Sequence, residues 1–392
     1  MPGHPQQPAD AFAPRLAVFF AASFVAFGIQ LPFFPLWLGA KGLDARLIGL
    51  ALAIPMIVRV FAIPFVARTA DRREALRATL IVASVATVIG YTLVGFAEGP
   101  VAIIATCALV AVASTPIIPL SDAYALKGLA ARGMSYGPVR LWGSAAFIVG
   151  TFGAGFAIDS IAARDLIWLI VAGAVVTALA AFALAPLGLG EPKAQPHGTK
   201  AASALLWRDP AFVAVVAASS LIQASHAVYY AFSTLEWTAA GLDGKIVAAL
   251  WALGVVAEIA LFALSGRFPR WLGPTMLLMI GGAGGALRWT IMALDPPLAA
   301  LPALQCMHAL SFCAAHLGAL GFVSRAAPPG MAATAQGYLS IAMGAVMAAS
   351  MGLSGVLYAN FGSRAYAAMA LSALAGGVCA FAAHRLRREA AL

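Results

Sequence analysis

One pattern recurs from end to end of this sequence: stretches of mostly apolar residues long enough for a helix to cross a bilayer, which takes about 20 residues. Short breaks rich in charge, Gly or Pro separate them. The stretches run near 16–38, 47–66, 79–97, 101–120, 141–158, 166–187, 211–235, 246–265, 274–294, 298–323, 334–358 and 365–383. With 62% hydrophobic and 10% charged residues and a mean hydropathy of +0.92, the chain is far more apolar than a soluble domain, which is about 45–50% apolar. In lipid the backbone has to satisfy its own hydrogen bonds, which leaves helices or closed barrels. The expected fold is an all-α membrane protein with twelve transmembrane helices.

A formal charge of +9 and an isoelectric point near 9.7 would suggest nucleic acid as partner of a soluble protein. Here the placement of the cations accounts for them, and no nucleic-acid partner is expected. Lys and Arg in short loops mark the cytoplasmic side. With the N-terminus inside, Arg15, Arg68, Arg72, Arg73, Arg77, Lys127, Arg132, Arg140, Lys193, Lys200, Arg208, Arg267, Arg270, Arg325, Arg385, Arg387 and Arg388 gather on that side. Lys41, Arg46, Arg164, Lys245 and Arg364 fall outside. Both termini are therefore expected in the cytoplasm, with the chain multi-pass in a bacterial inner membrane. Residues 1–14 lack a basic start and a small-residue cleavage site and read as a cytoplasmic tail. Cys107, Cys306, Cys313 and Cys379 lie inside apolar segments without metal-like spacing and read as packing residues. No metal and no cofactor is expected.

The longest polar break, from Gly190 to Pro210, is rich in Pro, Gly and charge. It is expected to be a cytoplasmic linker (190–210) between two six-helix halves, 15–189 and 211–392. Membrane proteins built from repeated halves often hold their ligand between them. Laying 47–60 over 246–259 sets Pro55 on Gly254 and Arg59 on Glu258, a faint echo between the second and eighth stretches.

An ionisable side chain at membrane depth costs about 2.5–3.5 kcal/mol on insertion scales and marks a partner or a water-filled path. Arg59, Glu258 and Arg288 are embedded, and Asp122 and Arg140 sit near the cytoplasmic ends of the fourth and fifth stretches. Polar and aromatic residues also recur at helical spacing: Ser23, Phe27 and Gln30; Arg140, Ser144, Phe147 and Thr151; Gln223, His226 and Tyr230; Gln305, His308, Phe312 and His316. Their two readings are interhelical struts and the lining of a shared cavity, and four such stripes favour the cavity. Three embedded Arg against two carboxylates leave one positive charge in excess, which a monocarboxylate would balance. Neither HExxH nor GxSxG occurs, so an intramembrane enzyme is not expected.

The loop ARTADRREALR resembles the signature loop between helices two and three of the major facilitator superfamily. Asp71 and Arg72 match it, while Ala67 and Glu74 stand where that loop has glycines. PLSDAYALKGLAARGMSYGPVRLWGSAAFIVG (119–150) and residues 224–265 are similar to the bacterial 3-phenylpropionate proton symporters, a branch itself similar to lactose permease. The resemblance implies a secondary active transporter that imports a small aromatic carboxylate with protons. It places Asp122 and Arg140 as a substrate-recognition pair and Glu258, Arg288 and His308 in proton coupling. The permease's helix-ten acid falls on Ser311, so its proton carrier does not carry over. His226, Tyr230, Gln305 and Phe27 join the expected substrate site from the stripes. An exporter of drugs or metabolites and a sugar or nucleoside symporter remain alternatives. The expected partners are the solute, protons and the lipid bilayer, with the chain acting as a monomer.

Overall fold

The computed structural model describes residues 11–72, 75–187, 206–269, 271–327 and 331–389. Residues 190–205 of the linker and the side chains of Asp71 and Arg72 lie outside the described set. Among the described residues there is no strand.

Among the described residues, eleven helical stretches are long and apolar enough to cross a membrane, and the last of them, Thr334–Arg387, spans 54 residues. That last stretch is two helices joined by a short turn at Gly362–Ala365. Gly362 there has φ 56°, a left-handed conformation that glycine adopts without strain. There are thus twelve spans: α1 (Phe12–Ala40), α2 (Ala45–Arg72), α3 (Leu76–Phe96), α4 (Pro100–Ala130), α5 (Tyr136–Ile158), α6 (Leu166–Ala183), α7 (Pro210–Ala239), α8 (Gly244–Ser265), α9 (Pro274–Ala293), α10 (Leu298–Ala326), α11 (Ala332–Phe361) and α12 (Tyr366–Glu389).

Local chemistry explains where several of them start. Pro100, Pro210 and Pro274 occupy the first turn of α4, α7 and α9, where a missing N–H costs nothing. Asp209 and Asp243 cap α7 and α8 by accepting from the N–H of Ala211 (2.9 Å) and Ile246 (2.8 Å). The first helix begins at Phe12, inside the stretch read as tail, because Phe12 is buried and stacks on Tyr124 at 5.2 Å.

Three spans are discontinuous. The fourth breaks between Pro100–Ser114 and Ile117–Ala130, and the seventh between Pro210–Ala224 and Ala227–Ala239. In α10 a wide π-helical turn, Ala309–Ala314, follows Leu301–Cys306. Irregular backbone at membrane depth is tolerated where protein or a water-filled cavity surrounds it, and π-turns gather at functional sites.

The apolar interior is divided into three cores. One unites both sets of six helices and includes Phe33, Trp37, Tyr91, Ile167, Val228, Trp251, Trp289 and Tyr366. Every member lies toward the face formed by the loops after α1, α3, α5, α7, α9 and α11. The other two lie toward the Arg-rich face and share no buried residue, one built from α1–α6 around Phe19, Leu80 and Tyr124, with Val255 of α8 packed against it, the other from α7 and α9–α12 around Phe212, Leu278 and Val323. The molecule is therefore joined at one end and cleft at its Arg-rich end. At the joined end glycines let backbones touch across the two sets: a Cβ on Gly49 of α2 would come within 2.7 Å of the Gly355 Cα in α11. Gly155 and Gly244 bring α5 and α8 together in the same way, and the Gly244 N–H donates to Asp159 at 2.8 Å.

Candidate functional site

The breaks in α7 and α10 converge with α8 and α9 on one polar cluster. Arg288 of α9 is wholly buried, as are Gln305, His226 and Ser311, and His308 is nearly so. The guanidinium donates from Nη2 to Gln305 Oε1 (2.8 Å) and from Nη1 to His308 Nδ1 (2.9 Å) and Ser311 Oγ (3.3 Å). Its flat face lies against the rings of Trp289 (4.4 Å) and Tyr229 (4.8 Å), a geometry that favours a cation. On its other edge His308 meets Glu258, with Nε2 2.7 Å from Oε1.

Donor rules fix the protons in this cluster. Arginine has no acceptor, so His308 Nδ1 accepts, the ring's single hydrogen sits on Nε2, and Nε2–H points at Glu258. His226 Nδ1 faces two carbonyls, Ile222 (3.2 Å) and Gln223 (3.1 Å), so it carries its hydrogen. Its Nε2 lies 3.1 Å from the Ser311 hydroxyl, from which a neutral ring accepts. The His308 imidazole is thus neutral in this arrangement, and the Glu258 carboxylate accepts from it.

In the first six helices, Arg140 at the start of α5 lies across the Phe24 ring, its guanidinium carbon 4.1 Å from the centroid. Its nearest carboxylate, Asp122, stands 4.0 Å from Nε and already accepts the Tyr136 hydroxyl at 2.7 Å. Arg140 and Asp122 are partly exposed, unlike Arg288. Arg59 shares the face of α2 that carries the buried Ile48, Ala62 and Ala70, yet is itself exposed, so it looks into the cleft.

The expected residues thus fall into two groups. Glu258, Arg288, His308, Gln305 and His226 form one hydrogen-bonded cluster, with the Tyr230 ring stacked 5.7 Å from His226. Asp122 and Arg140 form another, and Phe27 reaches it through Phe24, ring to ring at 6.2 Å. His316 makes no hydrogen bond to the cluster and packs against Phe312 and Phe262, yet it lies close enough to Glu258 for their charges to interact. The α5 stripe does not face the cleft as a whole: Phe147 is buried, and the Thr151 hydroxyl donates to Gly28 O at 3.0 Å, because Gly28 and Gly150 let α1 and α5 pack backbone to backbone.

Sequence reasoning missed Trp289, Ser311 as the node between Arg288 and His226, and Glu236 in the last turn of α7. Glu236 accepts from Tyr366 at 3.2 Å while its second oxygen is buried without a partner. For Ser311 the signal was its place beside the α10 stripe, three residues after His308; for Glu236 it was only a carboxylate at the very end of an apolar stretch.

Residues 14–368 match the MFS_1 like family. The chain belongs to that family. It is a major facilitator transporter, a multi-pass membrane protein and not an enzyme. Among relatives of this family, it is 32% identical over 367 residues to the "Probable 3-phenylpropionic acid transporter" of Escherichia coli strain K12, covering 92% of this chain and 94% of the relative. It is 28% identical to the maltose permease of Geobacillus stearothermophilus, over 81% of this chain and 80% of that one. Its fold is shared with the nucleoside transporter NupG, with a TM-score of 0.81 at 17% identity, covering 96% of this chain and 98% of that one. It is also that of a bacterial homolog to the human lysosomal transporter Spinster in an inward-facing, unoccupied conformation, with a TM-score of 0.73 at 14% identity, covering 96% of each.

Proposed function

We propose that this transporter is a proton-coupled symporter that imports a small aromatic carboxylate such as 3-phenylpropionate across the bacterial inner membrane. It works as a monomer by alternating access, residues 15–189 rocking against residues 211–392, with both termini and the linker in the cytoplasm. On that orientation the cleft opens inward.

The observation that carries the reading is the setting of Arg140. A planar fork seated over an aromatic ring, loosely paired and open to the cleft, suits a bidentate contact to a carboxylate. Asp122 and Tyr136 orient it, and Phe24 and Phe27 offer a surface for a ring. Arg59 on the cleft wall keeps the path electropositive. Coupling rests on Glu258: protonated, it loses the charge that the His308 N–H and Arg288 compensate, so its occupancy alters the balance of the buried cluster. The name of the Escherichia coli relative supports the substrate class. The maltose permease and NupG favour a second reading, a neutral sugar or nucleoside; such a solute would leave the surplus cation of the cleft uncompensated.

The test is uptake into proteoliposomes of labelled 3-phenylpropionate, sugars and nucleosides under an imposed pH gradient. Accumulation of the acid driven by the gradient is expected. Accumulation of sugars or nucleosides without the acid overturns the reading.

A further inference from the structure

Between α1, α3, α4 and α6, where α4 breaks, lies a small cavity partly open to solvent. Its wall holds no charged side chain. It is lined instead by hydroxyls and one amide, from Gln30, Ser84, Thr87, Tyr91, Ser114 and Thr177, alongside aliphatic residues. Ser84, Thr87 and Tyr91 share one face of α3 at helical spacing, while Val82, Ile89 and Phe96 of the same helix are exposed where lipid would lie.

The hydroxyls of Thr87 and Thr177 donate to their own helix, to Ala83 O (2.8 Å) and Gly173 O (2.9 Å), which leaves their lone pairs free to accept. Ser84 is only 1% exposed and its hydroxyl has no partner. An unmet buried hydroxyl costs about 1–3 kcal/mol, so a wall of this kind favours a guest that can both donate and accept. A charged guest would be stripped of water with no counter-ion.

Side chains run from the cavity to the Arg140 site. Phe27 lines it and is 41% exposed; because α1 is flanked by α2, α4, α5, α6 and α7, that exposure is to the cleft. Phe27 meets Phe24 edge-on, and Phe24 carries Arg140. A cation, two rings and a hydroxyl-lined cavity therefore follow one another along the first six helices.

We infer that this cavity is a specificity subsite for a ring hydroxyl, so that the preferred substrate is a hydroxyphenyl carboxylate: carboxylate on Arg140, ring along Phe24 and Phe27, phenolic O–H among Ser84, Tyr91 and Gln30. The inference rests on the aromatic-acid reading above and narrows it. A site built to hydrogen-bond a hydroxyl discriminates against the analogue that lacks one, because its buried polar groups are left unmet.

The experiment compares phenylpropionate with its three monohydroxylated ring isomers as competitors of uptake in proteoliposomes. The native protein, Ser84→Ala and Tyr91→Phe are run side by side. At least one isomer is expected to bind about three- to tenfold more tightly than the parent acid, the equivalent of one net hydrogen bond, and this ratio is expected to fall toward one in either variant. If the native protein does not prefer any isomer, or if the preference survives in both variants, the cavity holds water alone and the inference is overturned. Failure to transport any of the four acids overturns the aromatic-acid reading itself, which is a different result from transport without hydroxyl preference.

Discussion

Nε2 of His308 stands 2.7 Å from Oε1 of Glu258 while the other ring nitrogen accepts from Arg288 at 2.9 Å. The imidazole cannot gain a proton on Nδ1 without breaking its contact with the guanidinium, so the proton-coupled reading proposed above gives the coupling proton to Glu258. Glu258→Gln keeps the shape of the side chain and removes its titration. The variant is expected to lose accumulation driven by a pH gradient and to retain exchange of labelled for unlabelled substrate, which moves no net proton. Gradient-driven accumulation in Glu258→Gln would transfer the role to His308.

Arg288 is held by three side-chain acceptors at once, in a fork that an ammonium cannot reproduce. Arg288→Lys therefore leaves Gln305 Oε1 or His308 Nδ1 unmet, each unmet group costing about 1–3 kcal/mol. A lower melting temperature in detergent and loss of coupled uptake are expected together. Native melting behaviour in Arg288→Lys would show that the fork is not what holds the cluster.

Arg140→Lys keeps the charge but loses both the contact with Phe24 and the two-pronged approach to a carboxylate. Substrate affinity is expected to fall about tenfold, the scale of a lost charge-assisted hydrogen bond, measured as the half-saturating concentration for counterflow. An unchanged value would reduce Arg140 and Asp122 to a structural latch.

The linker and the C-terminal end of α12 are expected on the cytoplasmic side, where Lys and Arg accumulate. Single cysteines at Gln195→Cys and Arg388→Cys should resist an impermeant thiol reagent in intact cells and react after permeabilisation. Rapid labelling in intact cells would invert the topology and make the cleft outward-facing.

The twelve spans were readable because a bilayer imposes one length and one polarity on each, and hydropathy records both. Embedded charges were readable for the same reason: Glu258 and Arg288 are costly enough to stand out. What joined them was not. The π-turn at Ala309–Ala314 has no Pro or Gly to announce it, and it is Ser311, within that turn, that links Arg288 to His226. In α4 Pro116 marks the break, but the cavity beside it depends on which face of α3 turns inward, and a Ser, a Thr and a Tyr in an apolar helix read equally well as ordinary packing. The position of Glu236, in the last turn of its helix, reads as a loop-end carboxylate until Tyr366 from a distant span is seen to meet it.

The joined end of the molecule offers a test of alternating access itself. A Cβ on Gly155 would strike the Gly244 carbonyl and come within 2.6 Å of the Ala248 Cβ, so a larger residue there forces α5 and α8 apart. Gly153, two residues earlier on α5, has open space around it and serves as the control. Gly155→Leu is expected to lose steady-state uptake by holding the joined end open, whereas Gly153→Leu transports normally. The opening is read with Val247→Cys, since Val247 is wholly buried in the shared core, in a background lacking Cys107, Cys306, Cys313 and Cys379. The reagent should reach this cysteine from the joined face faster in Gly155→Leu than in the parent, since separating the helices hydrates that core. If the labelling rate stays at the parent value while uptake is lost, the glycine contact serves packing alone and the gate lies elsewhere along α2 and α11.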